Sequence, residues 1–322
     1  MWAYTITGPA ACARVDVPTP DEPDVPDGHV LLRVLAAGIC GSDLPAFRNG
    51  AFAATPHGTA PGAGFPLHEV AGEVVVSRDG TLPVGARVVG WAPARNAAAE
   101  YAVVEGAGLL PYAGHLDPAA AIVLQPLACV VAAVGEHLPA FAGRDATVLG
   151  LGPIGMLFAH VLKAGGARRV AGVDRVDRSD LAAAFGLDDV VTASTARWVA
   201  GLAPAAARPD VVVEAVGHQV GTLTDAVAAV ADRGRVLYFG IPDDPVYPLP
   251  MEQLLRKNAT LCAGYTREKR AALTGAAAHL ERHPDLAATY VTHVLAMDEL
   301  QRAFELADRP AKGQLKIVLT TP

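Results

Sequence analysis

Two short stretches of this chain carry residue types that can hold a metal. Gly38-Ile39-Cys40-Gly41-Ser42-Asp43 and Pro66-Leu67-His68-Glu69 offer a thiol, an imidazole and a carboxylate. Thiolate plus imidazole suits Zn²⁺, and the Glu69 carboxylate beside His68 would complete or orient such a site. Taken alone, the same residues are at home in a core, since Cys is among the most buried residue types and a lone His is commonly a satisfied packing group. A third stretch favours the metal reading. Gly150-Leu151-Gly152-Pro153-Ile154-Gly155 follows an apolar run at 146–149 and precedes a helical run at 156–163, which is G-x-G-x-x-G in a strand-turn-helix setting. The first Gly permits the turn, the second lets a diphosphate approach the backbone, and the third lets helix and strand pack closely. The helix N-terminus then faces the diphosphate with unpaired N–H groups. Asp174, nineteen positions past Gly155, ends the next apolar run, where its carboxylate would accept ribose hydroxyls and repel a 2′-phosphate. That favours NAD. Arg175 beside it offers a guanidinium suited to a 2′-phosphate, which keeps NADP open.

Positioning these groups takes two kinds of structure. From 2 to 105, Val-rich runs at 30–36, 70–76, 86–91 and 101–104 are separated by Pro and Gly, the texture of an all-β region. From 118 onward, Ala-rich helical stretches alternate with short buried runs at 146–149, 169–173, 211–215 and 235–239, which indicates βαβ units and a parallel sheet. After 265 come another helical stretch, a run at 290–295, an amphipathic segment at 298–307 and a terminal strand at 315–319. This tail is too short to form its own core and is expected to return to the first domain, enclosing an inserted α/β domain. The loop-like segment 49–64 either borders a site or is a surface excursion.

Composition narrows the function classes. The 322 residues carry a net charge of −7, with pI near 5.8 and no basic cluster, so the phosphate-neutralising footprint of a nucleic-acid binder is missing. An apolar share of 52% and a mean hydropathy of +0.30 raise the question of a membrane. The apolar run 119–134 is interrupted by Gln125 and Pro126, and 146–162 by glycines and His160, whereas a span needs about 20 mostly apolar residues. With no basic-then-apolar leader after Met1, the expectation is a cytoplasmic protein that does not enter a membrane. Cys12, Cys40, Cys129 and Cys262 are scattered without a C-x-x-C pair, which fits neither a disulfide framework nor a clustered structural zinc. His29, His115, His160, His218 and His293 show no ligand spacing and read as surface or packing residues.

The ordered motifs resemble those of the medium-chain dehydrogenase/reductase superfamily, in its zinc-type alcohol and polyol branch (sorbitol, threonine and cyclitol dehydrogenases). The resemblance runs nearly end to end: GICGSD at 38–43, HE at 68–69, AEYAVV at 99–104, QPLAC at 125–129, GLGPIG at 150–155, DVVVEAVG at 210–217, GRVLYFG at 234–240 and LKIVL at 315–319. It implies an α/β fold with a GroES-like β-rich catalytic domain over 1–127 and 267–322, and an inserted Rossmann domain, a doubly wound parallel sheet, over 128–266. By position it makes Cys40 and His68 ligands of a catalytic zinc, gives Ser42 to the substrate hydroxyl, and has Asp43 support the metal from behind. Glu69 becomes a ligand or a close neighbour of the metal. Gly150, Gly152, Pro153, Ile154, Gly155, Asp174 and Arg175 would bind the dinucleotide, with Lys316 near its diphosphate.

Three departures qualify the resemblance. The polyol branch usually has EPL, its Glu a direct or water-linked metal ligand, where this chain has Gln125-Pro126-Leu127. Gln125 is then a candidate ligand, but an amide oxygen is a poorer one than a carboxylate, so either Glu69 supplies the anion or zinc affinity falls. The four-cysteine lobe of many relatives is missing between Trp91 and Glu100, which leaves no ligands for a structural zinc there. Pro45 stands where many relatives carry a proton-relay His, so protons leaving Ser42 would need ribose hydroxyls, water or a loop residue such as His57. The implied reaction is reversible oxidation of a secondary alcohol, as in a polyol, sugar or cyclitol, with hydride passing to C4 of NAD, one catalytic zinc per chain, and a homodimer. Two alternatives stay open at this level: a zinc-free NADPH-dependent reductase of the same superfamily, and a non-catalytic cofactor-binding sensor.

Overall fold

The computed structural model describes residues 1–50, 62–203 and 207–321. His57 lies outside them. The chain divides into two units, Met1–Ala128 with Glu268–Pro310 and Gln314–Pro322, and Cys129–Arg267 with Ala311–Gly313. Ala311–Gly313, expected in the first domain, group with the second unit. Lys312 Nζ donates to Asp177 at 2.6 Å, and Arg178 donates to the Ala311 carbonyl at 2.9 Å.

The first unit begins with an antiparallel hairpin of β1 (Trp2–Gly8) and β2 (Ala11–Asp16), not anticipated from the sequence. There follow β3 (His29–Gly38), helix α1 (Leu44–Asn49), β4 (Glu69–Ser77), β5 (Arg87–Trp91), β6 (Tyr101–Glu105) and β7 (Leu109–Pro111). Helices α2 (Pro118–Ala121) and α3 (Leu124–His137) come next, with Asp117 capping α2 by accepting from the Ala119 and Ala120 N–H groups. The run Pro118–His137 is long and apolar enough to cross a membrane, contrary to the expectation from Gln125 and Pro126. Yet 67% of its apolar window is buried inside the fold, the pattern of a core helix.

The second unit is a parallel sheet interleaved with helices: β8 (Asp145–Leu149), α4 (Pro153–Ala164), β9 (Arg169–Asp174), β10 (Asp189–Thr192), α5 (Thr195–Ala200), β11 (Val211–Glu214), α6 (Gly221–Ala229), β12 (Arg235–Tyr238), α7 (Met251–Arg256) and β13 (Thr260–Ala263). Its order is β10-β9-β8-β11-β12-β13, with every pairing parallel. The central strands β8 and β11 are buried almost throughout, as strands covered on both faces must be. The sequence reading ended this sheet at 235–239, but β13 lies outside β12 as the edge strand. The four-residue β10 and β13 are exposed at both end residues, as edge strands are, and lack the continuous apolar run of a buried strand.

The chain then returns to the first unit through α8 (Lys269–Arg282), α9 (Leu286–Tyr290), β14 (Val291–Ala296), α10 (Leu300–Asp308) and β15 (Lys316–Thr320). These strands complete a sheet of order β14-β15-β3-β4-β5-β7, with β6 also paired to β3. Its core gathers Val30, Leu32, Val34, Val70, Val74, Val88, Ile317 and Leu319, and the stacked rings of Phe47 and Phe304 join α1 to α10. Each such side chain contributes about 1.5–3 kcal/mol on burial.

The register of this sheet decides what meets at one end. Gly38, the last residue of β3, pairs with Glu69, the first of β4, so the chain leaving β3 and the chain entering β4 run side by side. Gly38 also pairs with Val318, and the Ile39 N–H donates to the Ile317 carbonyl, which sets Lys316 beside both. Glu69 pairs with Trp91, so the connection leaving β5 joins the same end.

Candidate metal and nucleotide sites

Cys40, His68 and Glu69 each bring a ligand atom to this end of the sheet, and the three atoms lie within 4.8 Å of one another. Behind them, Asp43 is fully buried and accepts three hydrogen bonds. Its Oδ2 takes the Cys40 N–H at 2.9 Å, while Oδ1 takes His68 Nδ1 at 3.0 Å and Arg95 Nη2 at 2.7 Å. The carboxylate therefore fixes the imidazole orientation and leaves its other nitrogen for the Cys40 thiol, to which the ring is hydrogen-bonded. Burial alone would raise the Cys40 pKa, but the hydrogen bond and charge of His68 outweigh it, and the thiol is held below its ordinary value. Burial would lower that of His68, yet the charge and hydrogen bond of Asp43, with Cys40, hold it well above 6.5. Asp43 itself is lowered despite burial, chiefly by His68 and then by Arg95 and the Cys40 N–H.

Glu69 and Lys316 form an ion pair, each 1% exposed. Lys316 Nζ donates to Glu69 Oε1 at 2.6 Å and to the Ile39 carbonyl at 2.7 Å. Glu69 Oε2, also close to Nζ, accepts no hydrogen bond among the described residues. Lys316, expected near the cofactor diphosphate, is thus shut away from solvent and spends its charge on Glu69, because β15 pairs with β3 in a register that points it there. Gly38 is obligatory beside this pair: a Cβ would run into Glu69 Oε2 and come within 2.8 Å of Ile122.

These residues fit a zinc ion. A thiolate, an imidazole with its far nitrogen held by a carboxylate, and a buried carboxylate oxygen with no hydrogen-bond partner form a three-ligand set of the catalytic type. Ser42 is half-buried in the turn Gly41–Asp43. Gln125 is 3% exposed in the first turn of α3.

Sequence reasoning missed Arg95. It sits in the stretch 92–100, left without ligands by the missing lobe, and donates through Nε to the Pro66 carbonyl at 3.1 Å and through Nη2 to the Ser42 carbonyl at 3.0 Å as well as to Asp43. Its guanidinium lies 5.2 Å from the centre of the Phe65 ring. The available signal was a single cation among alanines just past a strand.

The glycine turn of the second unit is built by omission. Gly150 has φ +85°, and a Cβ there would press on Val216; a Cβ at Gly155 would collide with the Gly150 carbonyl oxygen. At Gly152 a Cβ would meet nothing within 4 Å. Gly152 is also the N-cap of α4 and has no side chain to satisfy the first-turn N–H groups, so that open space faces free donors suited to a diphosphate. Pro153, Ile154 and Gly155 form the first turn, Pro153 supplying helical φ at no cost in hydrogen bonds. Asp174 closes the turn from the end of β9, accepting the Leu151 N–H at 2.6 Å and the Val176 N–H at 2.8 Å. Arg175 next to it is exposed. At the end of β11, buried Glu214 accepts the N–H groups of Val216 and Gly217, both at 3.1 Å, and burial raises its pKa in spite of them.

Comparison with known proteins gives the family. Residues 26–117 match the alcohol dehydrogenase GroES-like domain, and residues 153–282 match the zinc-binding dehydrogenase family. The chain belongs to this family of zinc-binding, NAD(P)-dependent alcohol dehydrogenases, with a GroES-like unit and a Rossmann unit, and it is an oxidoreductase acting on alcohol-type substrates. It is 31% identical to D-altritol 5-dehydrogenase of Agrobacterium fabrum, over 86% of this chain and 88% of that one. It is 28% identical to L-threonine 3-dehydrogenase of Bacillus velezensis, over 93% of each. Among solved structures, the alcohol dehydrogenase TADH of Thermus sp. ATN1 superposes with a TM-score of 0.80 at 25% identity, covering all of both chains.

Proposed function

We propose that this protein oxidises a secondary alcohol of a polyol, sugar or cyclitol-type substrate reversibly to a ketone with NAD⁺, using one catalytic zinc and no structural zinc. The observation that carries the proposal is the convergence of Cys40, His68 and Glu69 within 4.8 Å. It speaks against the zinc-free reductase, which needs no such set. Bound there, zinc supplies the Lewis acidity that lowers the pKa of the substrate hydroxyl. NAD⁺ supplies the hydride acceptor.

The protein's own groups do the rest. The charges of Cys40 thiolate, Glu69 carboxylate and Lys316 ammonium sum to minus one, so a divalent ion leaves the site net positive and favours a deprotonated substrate oxygen. Ser42, at the edge of the turn, takes the hydroxyl proton and passes it outward. Asp43 keeps His68 in the ligating tautomer. In the second unit the Gly150–Gly155 turn holds the diphosphate, and Asp174 holds the adenosine ribose and disfavours a 2′-phosphate. Three protein ligands suffice for a catalytic zinc, so buried Gln125 is not needed as a fourth. The substrate class draws support from relatives named for D-altritol and L-threonine, both secondary alcohols with further polar groups. We infer a cytoplasmic homodimer, for which exposed Met251 and Leu255 in α7 and exposed Tyr265 after β13 offer apolar area.

The test is a screen at 340 nm with NAD⁺ and NADP⁺ over polyols, cyclitols and simple secondary alcohols, alongside zinc analysis of protein purified without chelators. Turnover of a polyol with NAD⁺ and about one zinc per chain is expected. Fewer than about 0.2 zinc per chain in active protein overturns the zinc mechanism. Cofactor binding without turnover of any alcohol would favour the sensor.

A further inference from the structure

Arg95 touches both ligand-bearing loops at once. Its Nη2 reaches the Ser42 carbonyl and the Asp43 carboxylate in the loop that carries Cys40, and its Nε reaches the Pro66 carbonyl in the loop that carries His68. The guanidinium plane rests over Phe65 in that second loop. Lys316 bridges the same two stretches on the Glu69 side, through the Ile39 carbonyl and the Glu69 carboxylate, whereas Arg95 bridges them on the Asp43 side. Asp43, in turn, holds both the Cys40 N–H and the His68 ring.

The backbone of Arg95 strengthens the case. Its φ is +55°, a left-handed conformation that Gly or Asn adopts readily and a long side chain does not. Its N–H closes a turn onto the Ala92 carbonyl at 2.8 Å, and the Ala92 N–H bonds the His68 carbonyl at 2.8 Å, so the turn is anchored directly to a ligand residue. Such a conformation is kept where surrounding contacts over-determine it, and here those contacts are the guanidinium's own.

We propose that Arg95 is a positioning residue for the metal site: by clamping Asp43 and the two loops together it holds Cys40 and His68 at ligating separation, so that zinc enters a pre-formed site. The proposal rests on the zinc reading above. A planar fork suits it, because one guanidinium can satisfy a carboxylate and two carbonyls in divergent directions, whereas an ammonium offers no fixed fork. The short connection that leaves no room for a cysteine-bound metal thus braces the catalytic ligands with a side chain.

The test compares wild type, Arg95→Met and Arg95→Lys. Met keeps an apolar stem against Phe65 and donates nothing, while Lys restores the charge and part of the hydrogen bonding. Each protein is titrated with Zn²⁺ against a chromophoric chelator, its Co²⁺ form is scanned for d–d absorption, and thermal melting reports folding. Arg95→Met is expected to bind zinc about 10- to 100-fold more weakly, with a displaced cobalt band, and Arg95→Lys to recover part of both. A purely structural role would shift melting and leave the cobalt spectrum in place. If Arg95→Met does not fold, Arg95→Lys decides, with zinc binding about threefold or more weaker expected. Wild type that binds zinc, with the folded variant equal to it in affinity and spectrum, overturns the role of Arg95 alone. Wild type that binds no zinc overturns the zinc reading, and this role falls with it.

Discussion

The two sites are made in opposite ways. At the end of the β-rich unit, function rests on side chains present: Cys40, His68, Glu69, Asp43, Arg95 and Lys316 form a connected array in which each charge has a partner. At the turn of the Rossmann unit it rests on side chains absent, with Gly150, Gly152 and Gly155 clearing space around free N–H groups and Asp174 as the one charged closure. The first should therefore fail when atoms are removed and the second when atoms are added. Because the two sites belong to different units, each kind of failure should leave the other unit's ligand unaffected.

The largest effect is expected from removing a metal ligand. Cys40→Ser or His68→Ala deletes one of the three proposed zinc ligands and with it several kcal/mol of charge stabilisation in the transition state, so kcat/KM for the best alcohol should fall by about 10³-fold or more. NADH binding, followed by fluorescence titration, should stay within about twofold of wild type. A variant that keeps full activity would end the assignment of this array, and one that also loses NADH binding would end the separation between the sites.

Adding one methyl group tests the other half. At Gly155 the new Cβ has to displace the Gly150 carbonyl, and overpacking of this kind costs about 1–3 kcal/mol, visible as a lower melting temperature. Gly152→Ala adds the same methyl to open space, so stability should hold within about 0.5 kcal/mol. NAD⁺ affinity should nonetheless fall by about 10-fold or more, because the methyl fills the approach of the diphosphate. Equal losses of stability in the two variants would show that the space at Gly152 is not a ligand cradle.

This contrast also explains what could be read from the sequence. The glycine turn is local: three glycines, a strand before and a helix after are contiguous, and each residue type has one physical reason to be there. Cys40, Ser42, Asp43, His68 and Glu69 were equally legible as types within motifs. Their connections were not, because they depend on sheet register. Lys316 meets Glu69 only because β15 pairs with β3 so that Val318 faces Gly38, and Arg95 reaches Asp43 only because β5 ends opposite Glu69. Nothing in the local sequence reports such alignments, and so Lys316 was sent to the diphosphate and Arg95 was passed over. The core strands of both sheets stood out through their valines, whereas edge strands β10 and β13, four residues each with both end residues exposed, did not.

Asp174 is where the second site depends on charge, and it refines the contrast. Its carboxylate closes the turn, through the Leu151 and Val176 N–H groups, and under the proposed function it also opposes a 2′-phosphate. Asp174→Asn disturbs the turn for both cofactors but removes the repulsion for one, so the ratio of kcat/KM values with NAD⁺ and NADP⁺ isolates the charge. Two charges about 8 Å apart at an effective dielectric of about 20 interact by about 2 kcal/mol, which predicts a shift of about 10- to 30-fold toward NADP⁺. An unchanged ratio would place discrimination elsewhere, with exposed Arg175 the next residue to replace.

The smallest effect is the pH dependence of zinc uptake, and its sign follows from the array. In the metal-free protein His68 keeps its proton to a pH well above 6.5, because the Asp43 carboxylate facing it outweighs the effect of burial. A ligating imidazole must be neutral, so zinc has to displace that proton. The Cys40 thiol is already held below its ordinary value and competes less. Zinc affinity should therefore rise with pH by up to about tenfold per unit from pH 6 until the raised His68 value is passed, with up to about one proton released per zinc over that range. Zinc titrations at pH 6, 7 and 8 with a pH indicator measure both quantities. In Asp43→Asn the raising charge is gone, so the pH at which the rise levels off should move down even as overall affinity weakens. A plateau that stays in place would mean that Asp43 does not set the proton affinity of His68, and that the carboxylate serves only as a geometric support.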